Sequence, residues 1–213
     1  MGNSYKKEIN NIQNDLKEVF KALIKNNEII VDVIQDCSKK NIKDKKKALS
    51  DDEIIALIEK IDTTISNYLA LKDKDTDKDN IKQFAKYLKV NSDVLKVSKN
   101  TITIVSKLNS SCKYIEDKNI KKNVLKIYQD MIKIFNILVN MLELNDEEEI
   151  ADFYDDIVIL DSKIDSIYEE IQKYIIKKSD KKDDYSDIMI IIRKTEKISS
   201  RAVSIASLIK FGY

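Results

Sequence analysis

The chain has 213 residues, 43% of them apolar, with 38 basic against 37 acidic side chains, two glycines, and no proline or histidine. That much apolar material builds a real core and excludes a disordered chain, while the missing proline and glycine argue against a sheet protein, whose tight turns draw on both. Balanced charge argues against nucleic acid, which selects a basic excess, and a chain without histidine lacks the usual general acid–base group and the usual zinc ligand set.

Six segments place apolar residues at alternating steps of three and four, the spacing that draws one stripe along a helix. The first runs through Ile9, Ile12, Leu16, Val19 and Leu23 and continues to Ile30 and Val33. A Lys-rich connection over 37–50 follows, with Lys39 to Lys47 expected to be a solvated loop or frayed helix end, the alternative being a phosphate- or membrane-surface patch. Ser50-Asp51-Asp52-Glu53 then has the form of an N-cap with first-turn acids. The second stripe is Ile54, Ile58, Ile61, Ile65 and Tyr68, closed by a Lys/Asp stretch over 72–80. The third is Phe84, Leu88, Asn91, Leu95, Ser98, Ile102 and Val105. Its polar members, with Thr101, mark a helix crossing, a lost ligand site or a partner groove, and spacing does not separate these. Asn109-Ser110-Ser111 reads as a break in mid-chain.

The fourth stripe is Val124, Ile127, Met131, Ile134, Leu138 and Met141, and Asn145-Asp146-Glu147-Glu148 again has the form of a cap. The fifth runs from Ile150 through Phe153, Ile157, Leu160, Ile164, Ile167 and Ile171 to Tyr174, and a Lys/Asp loop over 177–184 precedes the sixth. That last stripe is Ile188, Ile191, Thr195, Ile198, Ala202, Ile205 and Ile209. Helices of this kind joined by short polar loops form antiparallel bundles. No stretch approaches the ~18 apolar residues of a membrane span. Cys37 and Cys112 stand alone and read as free thiols, which, with no signal-like apolar run near the start, suggests a reducing cytoplasm.

The segments repeat. Asp15 to Leu23 resembles Asp130 to Leu138, Leu57 to Asp62 resembles Leu160 to Asp165, and Lys96 to Ile104 resembles Lys197 to Ile205. The offsets are 115, 103 and 101 in unbroken order, as a duplicated three-helix unit with longer connections in its first copy would give. The expected architecture is all-α: two tandem antiparallel three-helix bundles, six helices, over 1–108 and 109–213.

Thr195-Glu196-Lys197-Ile198-Ser199-Ser200-Arg201-Ala202-Val203-Ser204-Ile205-Ala206 resembles the signature helix of the PhoU family, matching it at Glu196, Ile198, Ala202, Val203, Ile205 and Ala206. The run from Leu160 to Ile171 is similar to that family's preceding helix. The resemblance implies two three-helix bundles side by side and a role in phosphate homeostasis, through contact with a phosphate transporter or its sensor kinase. It also implies a cytoplasmic location reaching to the inner face of the membrane, and iron or zinc clusters on a Glu/Asp-x-x-x-Asp motif in each repeat. Here that motif is degenerate: Glu196 is followed four residues on by Ser200, and Leu95 and Lys99 stand at the matching positions of the first copy. An i, i+4 carboxylate pair holds a cation because both groups share one helix face. Asp161, Asp165 and Glu196 are the residual candidates for a weak cation site; the expectation is no resident metal or cofactor.

No catalytic constellation is legible. The alternating Asp and Lys of 73–79 lack the glycine and terminal glutamate of a calcium loop, and no Gly-rich phosphate loop or nucleophile elbow occurs. The expected function is regulatory binding by a PhoU-like adaptor. The alternatives are a helical scaffold unrelated to phosphate and a weak metal-binding helical protein. A homodimer is the default assembly for a small bundle.

Overall fold

A computed structural model describes residues 2–49, 51–70, 78–144, 146–178 and 185–212. Seven helices make up the described residues, with no strand among them: α1 (Gly2–Gln35), α2 (Lys39–Lys47), α3 (Asp51–Ala70), α4 (Lys78–Ile115), α5 (Lys118–Met141), α6 (Glu147–Lys178) and α7 (Ser186–Phe211). None is long and apolar enough to cross a membrane.

The helix starts have local causes. Ser38 accepts from the Asn41 N–H at 3.3 Å and caps α2. Asp117 accepts from the N–H groups of Asn119 and Ile120 at the start of α5, and Asp146 does the same for Glu148 and Glu149 on α6. Each carboxylate satisfies amides that the first helical turn leaves without partners. At the far end, α7 stops at Gly212, whose φ of 77° suits a residue without a Cβ and whose N–H returns to the Leu208 carbonyl. Ser50 and Asn145, both assigned to caps from sequence, lie outside the described residues, as do 71–77 and 179–184 in the two Lys/Asp loops.

The packing has a simple logic. Helices α1, α3 and α4 contact one another, as do α5, α6 and α7; the two groups meet through α1 on α5 and, most extensively, α4 on α7. The predicted stripes supply most of the core: Ile12, Leu16, Val19 and Leu23 of α1, and Val124, Ile127, Met131, Ile134 and Leu138 of α5, are fully or almost fully buried. Where α1 crosses α5, Phe20 and Phe135 stack with ring centroids 6.4 Å apart. At the N-terminal end of α1, Tyr5 meets Tyr68 and Phe84, which stack on each other at 3.9 Å. Burying one such side chain contributes roughly 1.5–3 kcal/mol.

Several sequence expectations need correction. The Lys39–Lys47 run is a short capped helix resting on α1 and α4, which takes the helix number past six. Asn109-Ser110-Ser111 does not interrupt the chain: α4 continues through it, and the hydroxyls of Ser110 and Ser111 bond back to the Lys107 carbonyl rather than breaking the helix. The turn comes at Glu116-Asp117 instead, and the 108/109 division falls inside α4.

The stripe predicted on α4 is narrower than the face that helix buries. Leu88 and Ile102 are 44% and 39% exposed, whereas Tyr87, Val90, Val94, Val97, Ile104 and Leu108 are buried. Helix α4 is packed by α1 and α3 on one side and α7 on another, so its buried face is wider than one stripe. Tyr87 and Tyr128 lie inside the core: burial pushes the Tyr87 hydroxyl up to about 12 and raises Tyr128 as well, despite its hydrogen bond to Thr195.

The cysteines are not free. Cys37, in the link between α1 and α2, is bonded to Cys112 in the last turns of α4, with Cα atoms 5.5 Å apart. Their separation of 75 positions hid this from the sequence; the ends of α1 and α4 meet only once the helices have packed. The bond removes the thiol argument for a reducing compartment.

Candidate functional site

The three residual candidates do share a neighbourhood on the α6–α7 seam. Partial burial raises the Asp165 carboxyl above its usual range, and the charges of Asp161, Glu196 and Glu169 add to the shift. The Ser199 hydroxyl donates a short hydrogen bond to Asp161, and Ser200 donates to Glu196 at 3.4 Å. Asp161 is turned to a hydroxyl, and among the described residues no three His, Cys, Asp or Glu side chains are grouped to hold a metal.

The corresponding seam of α3 and α4 holds a buried anomaly. A shift of 103 residues carries Asp161 to Ile58 and Asp165 to Asp62, and a shift of 101 carries Ser199 to Ser98. Ser98 is 1% exposed and its hydroxyl has no partner among the described residues; under these shifts Ile58 falls where Asp161 stands beside Ser199. The polar tie on this seam is made a different way: the Asn91 amide donates to the Ile58 carbonyl at 2.9 Å and to Asp62 at 2.7 Å, leaving its own buried carbonyl oxygen without a partner. Thr101 turns its hydroxyl back to the Val97 carbonyl. Of the polar residues on the third stripe, Asn91 is the one whose hydrogen bonds among the described residues reach another helix, at the α3–α4 crossing.

A regular series of polar contacts on another seam is one the sequence did not disclose. Helices α4 and α7 run antiparallel and are tied by three rungs. Arg201 donates to Asp93 at 3.1 Å, Lys194 to the Asn100 side-chain carbonyl at 3.1 Å, and Lys107 pairs with Asp187 at 3.0 Å. Successive rungs are seven residues apart on both helices, the repeat that keeps one seam of a helix facing its neighbour. Asp93, 7% exposed, also accepts from Ser204 at 2.9 Å and from Lys96 at 3.1 Å, as a buried charge must be paired and hydrogen-bonded. Moving 101 residues forward from Asp93 reaches Lys194, and moving 101 back from Arg201 reaches Asn100, so the first rung maps onto the second. The same holds for Phe20 and Phe135, which exchange under a shift of 115.

No family model, curated protein or solved structure matches the chain. The signal for the rungs was present in the sequence as Asp93, Asn100 and Lys107 on one helix and Asp187, Lys194 and Arg201 on the other. Only the antiparallel register shows that they pair.

Proposed function

We propose that this chain is a PhoU-like helical adaptor that regulates phosphate uptake or phosphate signalling through protein contact rather than catalysis. The observation that carries the reading is the exchange of α4–α7 contacts under the 101-residue shift. Equivalent residues in two copies of one unit make equivalent contacts only when the copies pack about a common axis. In this reading α1, α3 and α4 form one three-helix bundle and α5, α6 and α7 the other. Helix α2 occupies the longer connection of the first copy, and the division lies at Glu116-Asp117 rather than at 108. That is the layout the resemblance of Thr195 to Ala206 implies. The partner is a phosphate transporter or sensor kinase at the inner face of the membrane, and no metal is needed for the contact.

Affinity capture from the native host tests the proposal. Recovery of a phosphate-transport or phosphate-sensing component is expected; capture of other partners alone would favour a scaffold unrelated to phosphate. One observation favours a second reading, the gathering of Asp161, Glu196 and Glu169 around Asp165. Stoichiometric metal in protein purified without chelator would support it over the first.

A further inference from the structure

Between the Asp93–Arg201 and Asn100–Lys194 rungs, the α4–α7 seam opens to solvent in a groove of about 490 Å³. Five cations line it: Lys96 and Lys99 from α4, and Lys194, Lys197 and Arg201 from α7. The chain as a whole carries a net charge of only +1, so this concentration does not follow from composition. Lys96 and Arg201 share the single carboxylate of Asp93, and among the described residues Lys194 has only the neutral carbonyl of Asn100. Lys99 and Lys197 have no carboxylate partner among the described residues. Glu196, the nearest acid in the chain to Lys197, accepts the Ser200 hydroxyl instead. Lys96 and Lys197 are equivalent under the 101-residue shift, so the two helices supply the charge from both sides of the groove.

Like charges held this close repel one another, and an anion between them removes the repulsion. The volume falls in the ~300–1,000 Å³ range of small-molecule sites. The two bounding rungs are seven residues apart, about 10 Å along a helix. A lone tetrahedral oxyanion, a few ångströms across, cannot reach from one rung to the other, whereas a chain of linked phosphates can. Point-charge ammonium groups on flexible stems suit such a chain, since they need no fixed bidentate geometry.

We propose that this groove binds a small soluble polyphosphate group, two or more linked phosphates either free or carried on a nucleotide. Inorganic tripolyphosphate, orthophosphate and ATP, titrated calorimetrically into the full chain at about 50 and about 200 mM salt, test it. Tripolyphosphate is expected to bind saturably, at least about tenfold more tightly than orthophosphate, and more weakly at the higher salt. ATP is expected to bind through its phosphates. The variant Lys99→Gln/Lys197→Gln changes two exposed side chains and is expected to retain the wild-type circular dichroism while losing about tenfold in affinity.

Absence of saturable tripolyphosphate binding at millimolar concentration would overturn the proposal, as would undiminished binding by the folded double variant. ATP binding without tripolyphosphate binding would also overturn it, since the base would then carry recognition. So would attachment to vesicles containing phosphoinositides with no binding of a soluble probe. Groove binding and the adaptor reading fail separately: the titrations need no host partner, and the affinity capture needs no anion.

Discussion

Replacing Ser98 by alanine is expected to stabilise the protein, and the same change at Ser199 to weaken it. Ser98 is buried with an unpartnered hydroxyl, and an unsatisfied hydroxyl in an apolar setting costs about 1–3 kcal/mol. Removing its oxygen opens a void smaller than a methyl group, so a net gain of about 1 kcal/mol is expected at Ser98. Ser199 instead donates to the Asp161 carboxylate. A hydrogen bond to a charged group contributes about 1.5–3 kcal/mol, but water can reach the half-buried Asp161, so the expected loss at Ser199 is about 1 kcal/mol. For a chain of 213 residues, an unfolding entropy of about 2.1 cal/mol/K per residue converts 1 kcal/mol into a Tm shift of about 2 °C. Equilibrium urea unfolding and scanning calorimetry of the two variants beside the wild type therefore resolve shifts of opposite sign. A Ser98→Ala variant less stable than wild type would refute the reasoning, because the hydroxyl would then have a partner such as a buried water.

Other perturbations are equally direct. The 75-residue separation of Cys37 and Cys112 gives a chain-entropy stabilisation of about 4 kcal/mol; Cys112→Ser or reductant is expected to lower the urea midpoint, and a mass measurement under non-reducing conditions should show no free thiol. Asp117 is held below the usual carboxyl range although burial opposes this, because Lys178, the Ile120 and Asn119 amides and the Tyr174 hydroxyl all favour its charged form. Asp117→Ala is expected to cost about 1–2 kcal/mol at pH 7. The wild-type advantage is present above the unfolded pKa near ~3.9 and is lost as pH falls through the lower folded value, which urea unfolding across pH would record. Asp165 carries the opposite sign: its folded pKa is raised, so its stabilising contribution is full only below ~3.9 and disappears as pH rises. Asp165→Asn is thus expected to raise the Tm at pH 7 by less than the equivalent of ~1 kcal/mol, with no gain in acid.

The sequence disclosed the parts of the fold that a single periodicity encodes. The stripe of α5 from Val124 to Met141 is buried at every position, and Tyr128 and Phe135 beside it are buried too, where α5 meets α1, α6 and α7. On α4 the same reasoning chose Leu88 and Ile102 over Tyr87 and Val94, since a helix packed on several sides has no single stripe to find. The acids Asp161, Asp165 and Glu196 could be placed in one neighbourhood by spacing and resemblance. That Ser199 occupies Asp161, or that Ser98 has no partner among the described residues, depends on which helix faces which. The Cys37–Cys112 bond and the Asp93–Arg201 rung join residues 75 and 108 positions apart, contacts that no local pattern records.

The rungs of α4 and α7 also fix direction. Read from its N-terminal end, α4 presents Asp93, Asn100 and Lys107, and α7 presents Asp187, Lys194 and Arg201. Both helices thus place an acid first and a base last. Set side by side in the same direction, they would oppose aspartate to aspartate and lysine to arginine. Turned head to tail, each acid meets a base. The charge order works as a polarity code, penalising the parallel arrangement that an apolar seam alone would tolerate.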